Sequence, residues 1–324
     1  MLRLKAIKIM LTAACMTTAF ASFSAGIDYP SKPIQIIVPQ PPGGFNDVVS
    51  RLVANKLTGS LGQPVVVQNQ PGAAAQLGTT SALRAPADGY TLLVAAFPHG
   101  TNPSLRKALP YDTLGDFRSV IQLGQTPNVL VVKSDSPLKS LEDVIKQAKE
   151  NPAKLNYASS GAGSSPHLSM EMLKSMADID IVHVPYKGGA AMATDLIGGQ
   201  VDIMFDNTPN VMPLVEDGKL RAIAVTSEKA TDLAPGIPPV DAIVPGYQMQ
   251  AWYGLVVRRE VPDEIVKKLN EEIQKILLMP DVRETFAKAR VEPVGGTPEQ
   301  FDQYIKNEIT KWEGVIRKAN ITIE

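Results

Sequence analysis

Ile34-Gln35-Ile36-Ile37-Val38-Pro39-Gln40-Pro41-Pro42-Gly43-Gly44-Phe45-Asn46-Asp47 holds a strand, a junction and a helix start in one short stretch. The β-branched run Ile34 to Val38 suits an extended, buried segment. Pro39 to Gly44 interrupts it with turn residues, and the amphipathic stretch Asp47 to Leu57 restores a helical period. The same succession returns at Val65-Val66-Val67 before Ala73 to Arg84, and at Thr91 to Ala96 before a loop from Pro98 to Pro103. Strand, Gly- or Pro-rich junction and helix in repetition is the α/β rhythm, in which helices cover a sheet with parallel strands.

A second series begins at Val129-Leu130-Val131-Val132 and runs through Asn156-Tyr157-Ala158, Ile179 to Val184, Val201 to Phe205 and Arg221 to Val225. Two sheets accommodate this better than one. Leu233 to Gly246 carries Pro235, Pro238, Pro239 and Pro245 and reads as an irregular connection. A strand, Trp252 to Val257, and three helices follow: Pro262 to Met279, Pro280 to Ala289 and Pro298 to Ala319. These helices read as scaffold packed against the first lobe. The expectation is an α/β protein with two mixed sheets flanked by helices, residues 26–125 and 250–324 forming one lobe and 126–249 the other.

Arg3, Lys5 and Lys8 precede the apolar run Ile9 to Phe20, which ends in Ala19-Phe20-Ala21, so residues 1–25 read as a secretory signal peptide. The run is short of the roughly 20 apolar residues that span a bilayer. Lipid attachment at Cys15, the only cysteine, is disfavoured because Thr12 stands where a lipidated cysteine expects leucine. Export would therefore leave no thiol, no disulfide and no Cys-ligated metal. Removing Arg3, Lys5 and Lys8 from 32 basic residues leaves about 29 against 33 acidic ones, with no basic run. Nucleic acid and anionic membrane surfaces, which need clustered Lys or Arg, are poor partners.

Open α/β sheets bind ligands beyond the carboxyl ends of their strands, which directs attention to the junctions. Five are candidates: Pro39 to Asp47, Gln68 to Ala73, Phe97 to Asn102, Ala158 to His167 and Tyr186 to Ala190. Their glycines permit close backbone approach, and the helices that follow offer unpaired N–H groups carrying partial positive charge. That is an anion site made of amides, with Lys187 the sole formal cation in these loops. Phe45 and Phe97 are placed to cover a small carbon skeleton, or equally to be core. His99, His167 and Asp206 can exchange hydrogen bonds with ligand hydroxyl or amino groups. His183, inside an apolar strand, is expected to be internal.

Other chemistries fail on spacing. Histidines at 99, 167 and 183 make no His-x-x-His or His-x-x-x-His pair, so no metal or other cofactor is expected. Gly161-Ala162-Gly163-Ser164-Ser165 is not Gly-x-Ser-x-Gly, and its serines suit a helix cap better than a nucleophile. Gly43-Gly44 lacks the remaining glycine and acidic partner of a dinucleotide loop. A catalytic role is not expected.

Tyr29-Pro30-Ser31-Lys32-Pro33-Ile34, Pro42-Gly43-Gly44-x-x-Asp47, Asn69-x-Pro71-Gly72-Ala73, Ala87-Asp88-Gly89-Tyr90-Thr91-Leu92, Tyr186-Lys187-Gly188-Gly189, Asp195-Leu196-x-Gly198-Gly199-x-Val201-Asp202 and Gly218 to Thr226 resemble the Bug family. These are TctC-like extracytoplasmic solute receptors of tripartite tricarboxylate transporters, and the likeness runs from Tyr29 to the last helix. It implies a periplasmic, type II Venus-flytrap fold that closes on a carboxylate held by loop amides, hydroxyls and water, then docks on the transporter's membrane subunits. Carried over by position, first-lobe contacts come from Gly43, Gly44, Phe45, Asn46, Asn69, Ala73, Phe97 and His99. Second-lobe contacts come from Ser160, Gly161, Ser164, Ser165, His167, Gly188, Gly189 and Asp206. The ligand stays open among dicarboxylates, tricarboxylates, amino acids and aromatic acids. A receptor presenting its ligand to a sensor kinase is the next alternative, and an exported hydrolase a remote one.

Overall fold

The computed structural model describes residues 28–323. Residues 1–25, read from sequence as a signal peptide and including Cys15, lie outside them. Chain order begins with β1 (Ile34–Val38), α1 (Phe45–Leu61), β2 (Val65–Asn69), α2 (Gln76–Arg84), β3 (Thr91–Ala96), α3 (Phe97–Leu105) and β4 (Phe117–Thr126). It continues with β5 (Asn128–Lys133), α4 (Leu141–Glu150), β6 (Asn156–Ser159), α5 (Ser165–Ala177), β7 (Val182–Pro185), α6 (Gly189–Gly198), β8 (Ile203–Asn207), α7 (Thr208–Glu216) and β9 (Leu220–Val225). β10 (Ala251–Arg258), α8 (Asp263–Leu277), α9 (Pro280–Lys288), β11 (Glu292–Gly295) and α10 (Pro298–Lys318) close it.

Two mixed sheets result. One has the order β11-β4-β10-β3-β1-β2, the other β7-β6-β8-β5-β9. In the first, β1 pairs in parallel with β2 and β3, whereas β10 runs antiparallel to β3 and β4, and β11 antiparallel to β4. In the second, β6 is parallel to β7 and β8 while β5 is antiparallel to β8 and β9. The sequence reading has no strand at β4 or β11. In β4 the residues Arg118, Ser119, Gln122 and Gln125 break up the apolar pattern, yet Ser119, Gln122 and Thr126 are buried. Phe97–Leu105, expected as a loop, is helical because Pro98 falls in the first turn, where a missing N–H costs nothing.

One face of the first sheet packs under α1 and α8 through Ile36, Val53, Leu92, Leu255, Ile273 and Phe286. The other face belongs to a core that continues into the second lobe, joining Trp252, Phe301 and Trp312 to Tyr157, Phe205 and Tyr247. The C-terminal helix accounts for this continuity. α10 lies on α3 and β4 and also against α5 of the second lobe, where Lys318 Nζ donates to the Ser175 carbonyl at 3.1 Å. The last segments therefore do more than pack on the first lobe, and their amphipathic period could not reveal a second partner.

The lobes are joined where β4 passes through Pro127 into β5 and where β9 returns to β10. Fully buried Thr226 ties these crossings together. Its Oγ1 donates to the Met249 carbonyl at 2.8 Å and accepts from Asn128 N at 2.8 Å, and its own N–H donates to the Asn128 carbonyl at 2.9 Å. Thr226→Val keeps the shape but strands a buried donor and acceptor. It should lower stability by about 2–6 kcal/mol, at roughly 1–3 kcal/mol for each of the two groups left without a partner, in urea denaturation. A midpoint unchanged from wild type would show that the crossings do not depend on this hydroxyl.

Candidate binding cleft

At the carboxyl ends of β1, β3, β6 and β8 the chain turns into α1, α3, α5 and α7, and these helix starts border one cleft between the sheets. A cavity of 280 Å³ is walled by Gln40 and Asn46 before and within α1, Phe97 and Pro98 of α3, and Ser160, Ser164 and Ser165 at α5. Gly189 of α6, Asp206, Asn207 and Asn210 around the β8–α7 junction, and Tyr253 of β10 complete it. A second cavity of 320 Å³ shares Gln40, Asn46, Asn207, Asn210 and Tyr253 and adds Gly44 and Phe45. Hollows of 480 and 630 Å³ exist elsewhere, but each draws only on the first lobe and the C-terminal segment, so neither can sense lobe closure.

The wall mixes apolar surface with amides and hydroxyls and is almost free of formal charge. Among its residues there is no Lys, Arg or His, and Asp206 is the one carboxylate. Asp206 is 4 % exposed. Its Oδ1 accepts from Asn207 N at 2.8 Å, and Asn210 Nδ2 reaches Oδ1 and Oδ2 at 3.2 and 3.1 Å. Burial pushes its carboxyl up to about 6, against the pull of those two donors. Burial also raises the nearby Tyr253 phenol, with the Asp206 charge adding to the effect. Ser165 Oγ donates to Asn207 Oδ1 at 3.1 Å, linking the starts of α5 and α7. Phe45 sits 5.0 Å from the Tyr253 ring and 5.9 Å edge-on from Phe286, so one side of it is core and the other faces the cavity.

The remaining sequence candidates are not among the residues lining these two cavities. Gly43 N donates to Asp47 Oδ2 at 2.9 Å, Asn69 Nδ2 to the Gln40 carbonyl at 3.2 Å, and the Ala73 carbonyl accepts from Arg106 Nη2. Gly188 is the residue preceding α6, at φ +111°. His99 is 5 % exposed on the inner side of α3, edge-on to Phe117 at 5.6 Å. Burial alone takes its imidazole down to about 4. The helical turn from Pro98 carries His99 into the core, which a loop would not have done.

His167 also serves from behind. Its Nδ1 accepts the Gly163 N–H at 3.1 Å, and its ring stacks on His183 at 4.2 Å, which stacks on Tyr157 at 4.8 Å. His183 Nε2 lies 2.6 Å from Ser159 Oγ, which accepts from Gly161 N at 3.2 Å. These rings brace the glycine-rich loop whose serines line the cleft. Ser164 Oγ donates to the Gly161 carbonyl at 2.6 Å and accepts from His167 N as the cap of α5. With its hydroxyl so engaged and His167 Nδ1 occupied by a backbone donor, Ser164 is not poised as a nucleophile.

Asn207, Asn210, Ala251 and Tyr253 line the cavity although no candidate junction contained them, while Gln40 and Pro98 line it from within two junctions that were candidates. Asn207 and Asn210 had a signal: Asp206-Asn207-Thr208-Pro209-Asn210 is a sixth strand-to-helix junction with Pro in the first turn. Tyr253 had none, being one aromatic in a buried strand.

The model for the tripartite tricarboxylate transporter family receptor, TctC, matches residues 49–321. The chain belongs to this family. Among relatives of the receptor, BugT of Bordetella pertussis is 35% identical over 311 residues, covering 95% of each chain. The R. palustris protein Rpa4515 with adipate superposes with a TM-score of 0.82 at 34% identity, over 91% of this chain and 99% of that one. MatC from Rhodopseudomonas palustris with bound malate gives 0.77 at 31%, over 89% of this chain and all of the other, 100%. TctC receptors bind solutes and are not enzymes, and this receptor has their two-lobed fold.

Proposed function

We propose that this receptor is exported to the periplasm, captures a small carboxylate in the interlobe cleft and delivers it to the membrane subunits of a tripartite tricarboxylate transporter. The observation carrying this reading is the gathering of helix starts from both lobes around a wall without Lys or Arg. First-turn N–H groups satisfy an anion there at no side-chain desolvation cost. Adipate and malate, bound by Rpa4515 and MatC, are carboxylates of a size suited to such a cleft. Closure follows from population shift. A solute touching Asn46 and Phe45 on one side and Ser164 and Asn210 on the other favours the state in which both sets reach it.

Calorimetry with a panel of mono-, di- and tricarboxylates tests the reading. At least one acid should bind and raise the melting temperature, by roughly 2.7 kcal/mol of stabilisation at a hundredfold excess over its Kd. Phe45→Ala should weaken that binding about tenfold or more, as expected for losing a buried aromatic contact of about 1.5–3 kcal/mol. Silence of the wild-type protein toward every acid would rule the function out.

A further inference from the structure

Three acceptors in the cleft lack the partner their surroundings call for. Asp206 belongs to none of the ion pairs among the described residues, and its protein partners are one backbone N–H and one side-chain amide. An ionised carboxylate offers about four acceptor positions, so two donors leave capacity unfilled. Gln40 Oε1 and Asn46 Oδ1 are buried on the same cavity wall with no hydrogen-bond donor in the protein. Gly189 brings its backbone against the carboxylate, since a Cβ there would lie 3.1 Å from Asp206 Oδ2. The start of α6 therefore faces a protein carboxylate, which competes with any ligand carboxylate for that position. A ligand made only of carboxylates and methylenes meets like charge at Asp206 and supplies no donor to Gln40 or Asn46.

We propose that the solute carries a protonated amine beside its carboxylate, the amine seated against Asp206 and within reach of Gln40 and Asn46, the carboxylate directed to the serine-bearing start of α5. This rests on the carboxylate-receptor reading and narrows it. Burial that raises the Asp206 carboxyl agrees, because an ammonium is the partner that removes the cost of ionising it. A purely structural Asp206, ordering α7 through Asn207 and Asn210, would affect all ligands alike.

Matched pairs measured by calorimetry on the purified protein separate these cases: succinate with aspartate, glutarate with glutamate, adipate with 2-aminoadipate, and malate as the hydroxyl-bearing control. In at least one pair the amino acid should bind about tenfold tighter or more, the scale of one hydrogen bond to a charged group. Asp206→Asn should erase that preference by weakening the amino acid, while the plain acid, freed of the like charge, binds at least as well as to wild type. Plain acids equal to or better than their amino partners in every pair overturn the inference and leave the carboxylate reading standing. So does malate as the best binder, which would assign a hydroxyl. An equal loss for both members in Asp206→Asn also overturns it. Failure of every acid to bind removes the receptor reading and this refinement together.

Discussion

Replacing Gly163 with alanine is expected to cost about 3–4 kcal/mol of stability, near the top of the range for one added methyl, and to weaken solute binding severely. Two independent penalties meet at this residue. Its φ of +78° lies in the left-handed region, where a Cβ costs roughly 1–2 kcal/mol. That Cβ would also stand 2.6 Å from Leu105 Cδ1 and 2.7 Å from Ile323 Cδ1, and overpacking of this kind costs roughly 1–3 kcal/mol. Both contacts are with terminal methyls: Leu105 is fully buried and has little room to turn aside, whereas the half-buried Ile323 side chain can yield even though its N–H is fixed to the Leu105 carbonyl at 2.9 Å. Relief by moving the loop would break the Gly163 N–H to His167 Nδ1 bond and displace Ser164 and Ser165 from the cleft.

Gly161→Ala is the control. It has φ +115° but only the Tyr186 carbonyl at 3.7 Å, so it carries the backbone strain without the clash. Urea denaturation should place Gly163→Ala well below Gly161→Ala, with Ile323→Ala recovering part of the deficit in the double variant. Equal midpoints for the two glycine variants would mean that the C-terminal segment does not press on this loop.

Most of the architecture was legible because local chemistry and tertiary structure agree. Ile34, Ile36, Ile37 and Val38 are apolar because their strand is covered, and Thr297 and Pro298 mark a helix start by chemistry that acts within one turn. β4 was not legible, since polar side chains in it are accommodated by distant segments: Gln125 Nε2 donates to Glu292 Oε2 and Thr126 Oγ1 to the Arg290 carbonyl. The same division holds at the cleft. The glycine-rich junctions could be found from sequence, and Asn46, Phe97, Ser164 and Gly189 do line one cavity. Sequence could not separate wall from brace, because His167 and Ser165 lie two residues apart on the same helix start and differ only in which way each turns. Nor could it find Tyr253, whose place depends on β10 crossing from the far end of the chain to pair with β3.

Acid should destabilise the free protein, and Asp206 should oppose the loss. His99 and His167 have imidazoles lowered from 6.5 to about 4 and about 3, the second by burial first and then by the neighbouring His183 and Lys174. A depressed histidine contributes stability that is complete above the unfolded value and disappears as pH falls from 6.5 toward the folded one. Each is worth on the order of 3 kcal/mol by pH 4, at 1.36 kcal/mol per pH unit. For His167 the structural price is visible: a proton on Nδ1 displaces the Gly163 N–H and places a cation 4.2 Å from the His183 ring. Asp206 runs the other way. Its carboxyl, raised from 3.8 to about 6, penalises the folded state above pH 6 and stops doing so as pH falls to 3.8. That returns on the order of 3 kcal/mol over part of the same interval. Asp206→Asn should therefore be more stable than wild type at pH 7.5 and should lose stability more steeply between pH 6 and 4. His99→Leu should flatten the acid limb. Denaturation midpoints at pH 7.5, 6, 5 and 4 decide the matter, and parallel curves for wild type and Asp206→Asn would show that this carboxylate is not strained in the empty cleft. A strained carboxylate is what an ammonium-bearing ligand would relieve, so the stability gained by Asp206→Asn in the free protein and the amine preference it loses should arise together.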